Sequence, residues 1–238
     1  MMHTLERAAT MAPAPTTAIQ RQADPTMTTR RLMQAGAIGA LLFVGVALGE
    51  GATRPGYSAW THYVSELSLS DWGWMQITNF ITAGLLILGG AIGLGRALPA
   101  GPGATWGPRL LGVFGLGLVA AGVFTMDPTH GYPAEVATRA PQTLHGVLHG
   151  VAGLVCFTSL GAAALVLARR FTGRWAIYST AIGLTVLSFF VLSTASDVLA
   201  KLGVLAESPT GLLQRIAIVG GWTWLAVLLL HLRPRVSR

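Results

Sequence analysis

HGVLHGVAGLVCFTSLGAAALVLA, residues 145–168, runs for 24 residues without one Asp, Glu, Lys or Arg. That length and composition match the roughly 20 apolar residues a membrane-crossing helix needs. No strand-like alternation competes, and in lipid only helices or closed barrels satisfy every backbone N–H and C=O. The stretch therefore predicts a transmembrane helix, and five other runs share its character: Leu32–Gly49, Trp74–Gly95, Leu110–Met126, Trp175–Ser196 and Leu212–Leu232. The expected fold is all-α, a polytopic integral membrane bundle of six transmembrane helices over residues 30–238, preceded by a disordered tail at 1–29. That tail is polar and rich in Pro, Ala and Thr, and Met27 begins MTTRRLMQAG, which reads as a plausible start. The Arg30–Arg31 pair before an apolar run reads as a retained signal anchor, since five more spans follow.

Composition agrees. The 238 residues are 52% hydrophobic and 11% charged, where a soluble domain carries about a quarter charged residues. The net charge of +7 would suit a nucleic-acid partner only if it were gathered on one surface. Instead, 12 of the 16 basic residues flank one end of the spans: Arg7, Arg21, Arg30, Arg31, Arg96, Arg109, Arg169, Arg170, Arg174, Arg233, Arg235 and Arg238. By the positive-inside rule that end faces the cytoplasm, so both termini are cytoplasmic, the membrane is a bacterial cytoplasmic membrane, and no nucleic-acid partner is implied. The single cysteine, Cys156, lies inside a span and excludes an intrachain disulfide. Gly45/Gly49, Gly89/Gly93 and Gly146/Gly150 have the small-xxx-small spacing that lets membrane helices approach closely.

Candidate chemistry gathers on the outer side. If the middle of RPGYSAWTHYVSELSLSDWGW (54–74) is helical, Ser58, His62, Ser65 and Glu66 share one face. The alternative is an interfacial amphipathic helix with Tyr57, Trp60, Tyr63, Trp72 and Trp74 as belt residues. His145 and His149 lie one helical turn apart, a spacing that zinc-binding helices use. Asp127 is either a turn residue closing the third span or part of the same cluster. Asp197 and Lys201 are spaced for an i, i+4 ion pair. Arg215, inside the sixth span, needs a partner, for which Asp197, Glu66 and Asp127 are candidates. No other ionisable residue occupies the middle of a span, which argues against ion-coupled transport. Histidines are too few at the inner end for two haems.

Four stretches carry a family resemblance: HYVSELS (62–68), GVFTMDP (122–128), LHGVLHGVAG (144–153) and GLLQRIAIVGGWTW (211–224). Through them the chain resembles the domain-of-unknown-function 998 family of bacterial and archaeal membrane proteins, over about residues 30–232. The resemblance implies a six-helix bundle and supplies no activity. More distantly, Ser58-xxx-His62, Asp127 and His145-xxx-His149 resemble, in order, elements of the alkaline ceramidase and adiponectin receptor superfamily of zinc hydrolases, which have seven helices.

Two readings of function follow. In one, Glu66, Asp127, Asp197 and Arg215 line a polar pocket for a lipid headgroup, a small ligand or a partner. In the other, His62, His145 and His149 hold zinc, and Ser58, Glu66 or Asp127 serves catalysis on a lipid ester or amide.

Overall fold

The computed structural model describes residues 25–133 and 141–234. Six long helices cover most of them: α1 (Pro25–Thr53), α2 (Gly73–Ala97), α3 (Trp106–Val123), α4 (Leu144–Ala168), α5 (Gly173–Lys201) and α6 (Thr210–Leu232). Each is long and apolar enough to cross a membrane. No strand occurs among the described residues, where the one further element is a short 3-10 helix at Val64–Leu69.

The expected spans are all present, with shifted ends. α1 differs most: it starts at Pro25, so residues 25–29 of the expected disordered tail are helical, and residues 1–24 lie outside the described residues. Proline suits a first helical position, because its missing N–H would have no intrahelical partner there. At 29 residues α1 is about 44 Å long and exceeds a bilayer core of about 30 Å.

Each helix packs against its sequence neighbours, and α6 returns to α1, closing a ring of six. Glycines set the tightest crossings. A Cβ on Gly36 would stand 2.7 Å from the Gly90 Cα (α1–α2), one on Gly84 2.7 Å from the Gly115 carbonyl oxygen (α2–α3), and one on Gly183 3.0 Å from the Gly161 carbonyl oxygen (α4–α5). Close approach of backbones supplies the dispersion contacts that hold helices together in lipid. Of the spacings singled out in the sequence, only part serves this purpose. Gly93 abuts α1, whereas Gly45, Gly49 and Gly150 face open space.

The ring is filled by aromatic side chains. Trp222 of α6 stacks on Phe43 with centroids 5.4 Å apart and meets Phe114 edge-on at 4.8 Å. Asn79 is a buried amide whose Nδ2 donates to the Phe43 carbonyl and to Gln76 Oε1, each at 3.1 Å, which ties α1 to α2, while its Oδ1 is left without a partner among the described residues. Outside the ring, Ile38, Leu85, Leu116, Val151 and Leu184 are exposed. Such an apolar belt has no place in water and fits a multi-pass membrane protein.

The two ends differ. At one, Arg30, Arg31, Arg96, Arg109, Arg169, Arg170, Arg174 and Arg233 stand at helix termini, and Arg170 donates to the Pro99 and Pro102 carbonyls. The other end, here the mouth, is built, among the described residues, from 54–72, 124–133, 141–143 and 202–209.

Candidate functional site

At the mouth, the segment after α1 folds back across the bundle. Its middle is not the continuous helix that would have aligned Ser58, His62, Ser65 and Glu66. A single turn closes at 58–62, where the His62 N–H donates to the Ser58 carbonyl at 2.8 Å, and the 3-10 helix follows. Ser58 serves this turn: its N–H donates to His62 Nδ1 at 2.9 Å, and its hydroxyl accepts from the Thr61 N–H. Because Nδ1 accepts, the His62 proton sits on Nε2, which is 3.3 Å from the His130 carbonyl oxygen. Both His62 nitrogens are thus used within the protein.

Arg215 fastens this segment to α6. Its guanidinium donates to the carbonyls of Ala59, His62 and Gly211, each at 2.9 Å, and to the Tyr57 hydroxyl. The expectation of a partner holds, but the partners are carbonyls and a phenol, not Asp197, Glu66 or Asp127. A turn whose carbonyls point inward supplies acceptors without the cost of burying a second charge. The guanidinium also lies over the Tyr57 ring, 5.3 Å from its centroid. Burial raises the Tyr57 hydroxyl to about 12, against the opposing charge of Arg215. Next to it, the Val64 N–H donates to Gln214 Oε1 at 2.8 Å, and the Leu212 N–H to the Trp60 carbonyl at 3.1 Å.

Glu66 is fully buried. Its Oε2 accepts from the Tyr63 N–H at 2.6 Å, capping the 3-10 helix, and Oε1 accepts from the Thr129 hydroxyl at 2.6 Å. His130, a residue the sequence did not mark out, stands between Glu66 and Asp197. Its Nε2 lies 3.0 Å from Asp197 Oδ1, and its Nδ1 3.9 Å from Glu66 Oε2. Lys201 pairs with the other Asp197 oxygen at 2.7 Å, as the i, i+4 spacing foretold. Burial works against charge on His130, but the two facing carboxylates prevail and raise its pKa to about 9. The imidazolium thus neutralises two carboxylates from distant parts of the chain and draws the loop at 124–133 onto the bundle.

Asp127 has a different task. Oδ2 accepts from the Thr143 N–H at 2.8 Å and Oδ1 from the Thr143 hydroxyl at 2.6 Å, while Thr143 caps α4 through the Gly146 N–H. It sits where α4 begins and its negative charge complements the helix dipole. His145 is exposed and meets the Phe124 ring edge-on, with centroids 5.6 Å apart. His149 is buried, with Nδ1 3.1 Å from the Ala121 carbonyl oxygen and 2.7 Å from that of Phe124. The expected convergence of His62, His145 and His149 is therefore not seen: among the described residues no three His, Cys, Asp or Glu side chains form a group able to hold a metal. The i, i+4 spacing makes histidines neighbours along a helix, but here α3 claims one ring while the other points outward.

Beneath this polar layer lies a cavity of about 1210 Å³ that all six helices line, α4 and α5 most of all. Phe43, Phe157, Cys156 and Trp222 line its floor, and Asp127, Thr129, Gln142 and Lys201 its mouth. The cause is a wedge. α4 and α5 meet at Gly161 and Gly183, and Phe157 stacks on Phe190 with centroids 4.7 Å apart. Toward the mouth the α4 wall carries Gly150 and Gly153, where an added Cβ would meet nothing within 4 Å. The facing α5 wall, Val191, Thr194, Ala195 and Val198, is exposed.

The family described as Protein of unknown function (DUF998) has a model that matches residues 37–231, most of the chain. The chain belongs to the DUF998 family. No curated protein and no solved structure gives a match. The matched region takes in α2 to α5 whole, α1 from Ala37 onward, α6 up to His231, and both carboxylates that hold His130.

Proposed function

We propose that this DUF998 protein binds a membrane lipid, taking it from the outer leaflet into the cavity between α4 and α5. The wedge between those two helices carries the reading. Ordinary ligand pockets measure about 300–1,000 Å³. A cavity of about 1210 Å³ exceeds that range, and it is mostly apolar below and more polar toward the mouth. Those are the dimensions and polarity of an amphipathic lipid lying along the helices, with its chain on Phe157 and Trp222 and its head near Asp127, Thr129 and Gln142. The basic end, by the positive-inside rule, faces the cytoplasm of a bacterial cell, which puts the mouth outside.

Native mass spectrometry of protein extracted in mild detergent tests this. Wild-type protein should carry adducts of lipid mass, and Gly150→Leu/Gly153→Leu, which fills the α4 wall without touching the polar layer, should lose most of them. Equal lipid retention by both proteins would count against the cavity as the binding site.

A further inference from the structure

His149 forms part of the cavity wall, five residues into α4, or about 7 Å below the start of the helix. Its Nδ1 faces the carbonyl oxygens of Ala121 in α3 and of Phe124 just after it, which can only accept, so Nδ1 carries the proton. Among the described residues no carboxylate lies within ion-pair distance of the ring. The neutral tautomer then leaves a lone pair on Nε2. Among the described residues that nitrogen has no partner, and it is not among the polar atoms sealed off from solvent. Two fixed acceptors on one side of the ring thus define what the other side can recognise.

We infer that His149 Nε2 is the acceptor that selects the ligand of this cavity: a lipid carrying a hydroxyl or amide N–H where its head joins its chain. The inference rests on the lipid-binding reading above. The position agrees with it. About 7 Å below the mouth is the depth of a lipid's head–chain junction, and the eight residues from His149 to Phe157 leave about 12 Å of apolar wall for the chain beneath. A ligand without a donor there would strand a desolvated imidazole nitrogen, and buried acceptors left unpaired are costly. Fully esterified or alkylated lipids should therefore bind less well than lipids with a free donor.

The test compares two matched pairs by titration into delipidated protein in nanodiscs: monopalmitoylglycerol with its di-O-methyl ether, and palmitamide with N,N-dimethylpalmitamide. In wild-type protein the donor-bearing member of at least one pair should bind about five- to tenfold more tightly, as one net hydrogen bond predicts. His149→Phe keeps a flat ring in the wall and should reduce that ratio to about one, leaving the methylated member unchanged. A wild-type ratio below twofold in both pairs overturns the inference while leaving lipid binding intact. So does a preference that survives in His149→Phe. If no member of either pair binds, the lipid-binding reading fails, and this one with it. The wild-type comparison stands even if the variant does not fold.

Discussion

Arg215 is the side chain on which the mouth most depends, and replacing it with Met should show this. The guanidinium is nine-tenths buried and holds three carbonyls at 2.9 Å along with the Tyr57 hydroxyl. All three carbonyls share the two hydrogens of Nη1, and hydrogen bonds to a charged group are each worth about 1.5–3 kcal/mol net, so together they represent about 3–6 kcal/mol. Against this, Met relieves the burial of a cation, which costs several kcal/mol. Gly211 also loses least, since its carbonyl lies in the first turn of α6. The balance is a loss of about 2 kcal/mol, roughly thirtyfold in the docking equilibrium. Hydrogen exchange reads it locally: the amides of Val64 and Leu212, which join the first loop to α6, should lose protection by that factor, while amides of the α1–α2 crossing change little. Arg215→Lys should fall between, because an ammonium cannot reproduce the planar fork. A change below about 0.5 kcal/mol at Val64 and Leu212 in Arg215→Met would refute the reasoning.

Three further outcomes follow from the same geometry. Gly146→Ala puts a methyl into the Asp127 carboxylate and should destabilise by about 1–3 kcal/mol in thermal unfolding, whereas Gly150→Ala, one turn on and facing open space, should stay within about 0.5 kcal/mol of wild type. His130 is raised to about 9 from an unfolded value near 6.5, so its stabilisation is complete below about 6.5 and lost as pH rises through about 9. The stability difference between wild type and His130→Leu should therefore shrink between pH 7 and 10; a constant difference would contradict the ion-pair assignment. Reporter fusions after Arg170 or Arg238 should read cytoplasmic and fusions within 128–140 external, and an external reading at Arg238 would overturn the orientation.

The spans were legible because lipid imposes a simple demand on sequence, and α4 ends within a residue of where its apolar run does. The Asp197–Lys201 pair was legible for the same local reason. What joins distant segments was not. His130 lies in a loop without periodicity, and its partners come from elsewhere, Glu66 from the first connection and Asp197 from the end of α5. The available signal was one of charge: two carboxylates on one side of the membrane needed a cation, and THGY offers a histidine beside a glycine in the intervening loop. His62, His145 and His149 drew attention through spacing, yet spacing fixes only neighbours on one helix. His62 is used by its own turn, and His149 by the end of α3. The glycines misled similarly: Gly150 has the spacing of a packing residue, but α5 diverges from α4 there, and the gap it leaves is the cavity.

The most direct test of that cavity is photo-crosslinking with a palmitoyl lipid bearing a diazirine midway along its chain, followed by peptide mapping. The probe should label α4 between Gly150 and Phe157 and α5 between Phe190 and Val198, and unlabelled lipid should compete this labelling away. Labelling spread evenly over the exposed belt at Ile38, Leu85 and Leu116, with no competable excess at the α4–α5 wall, would contradict a lipid site in this protein.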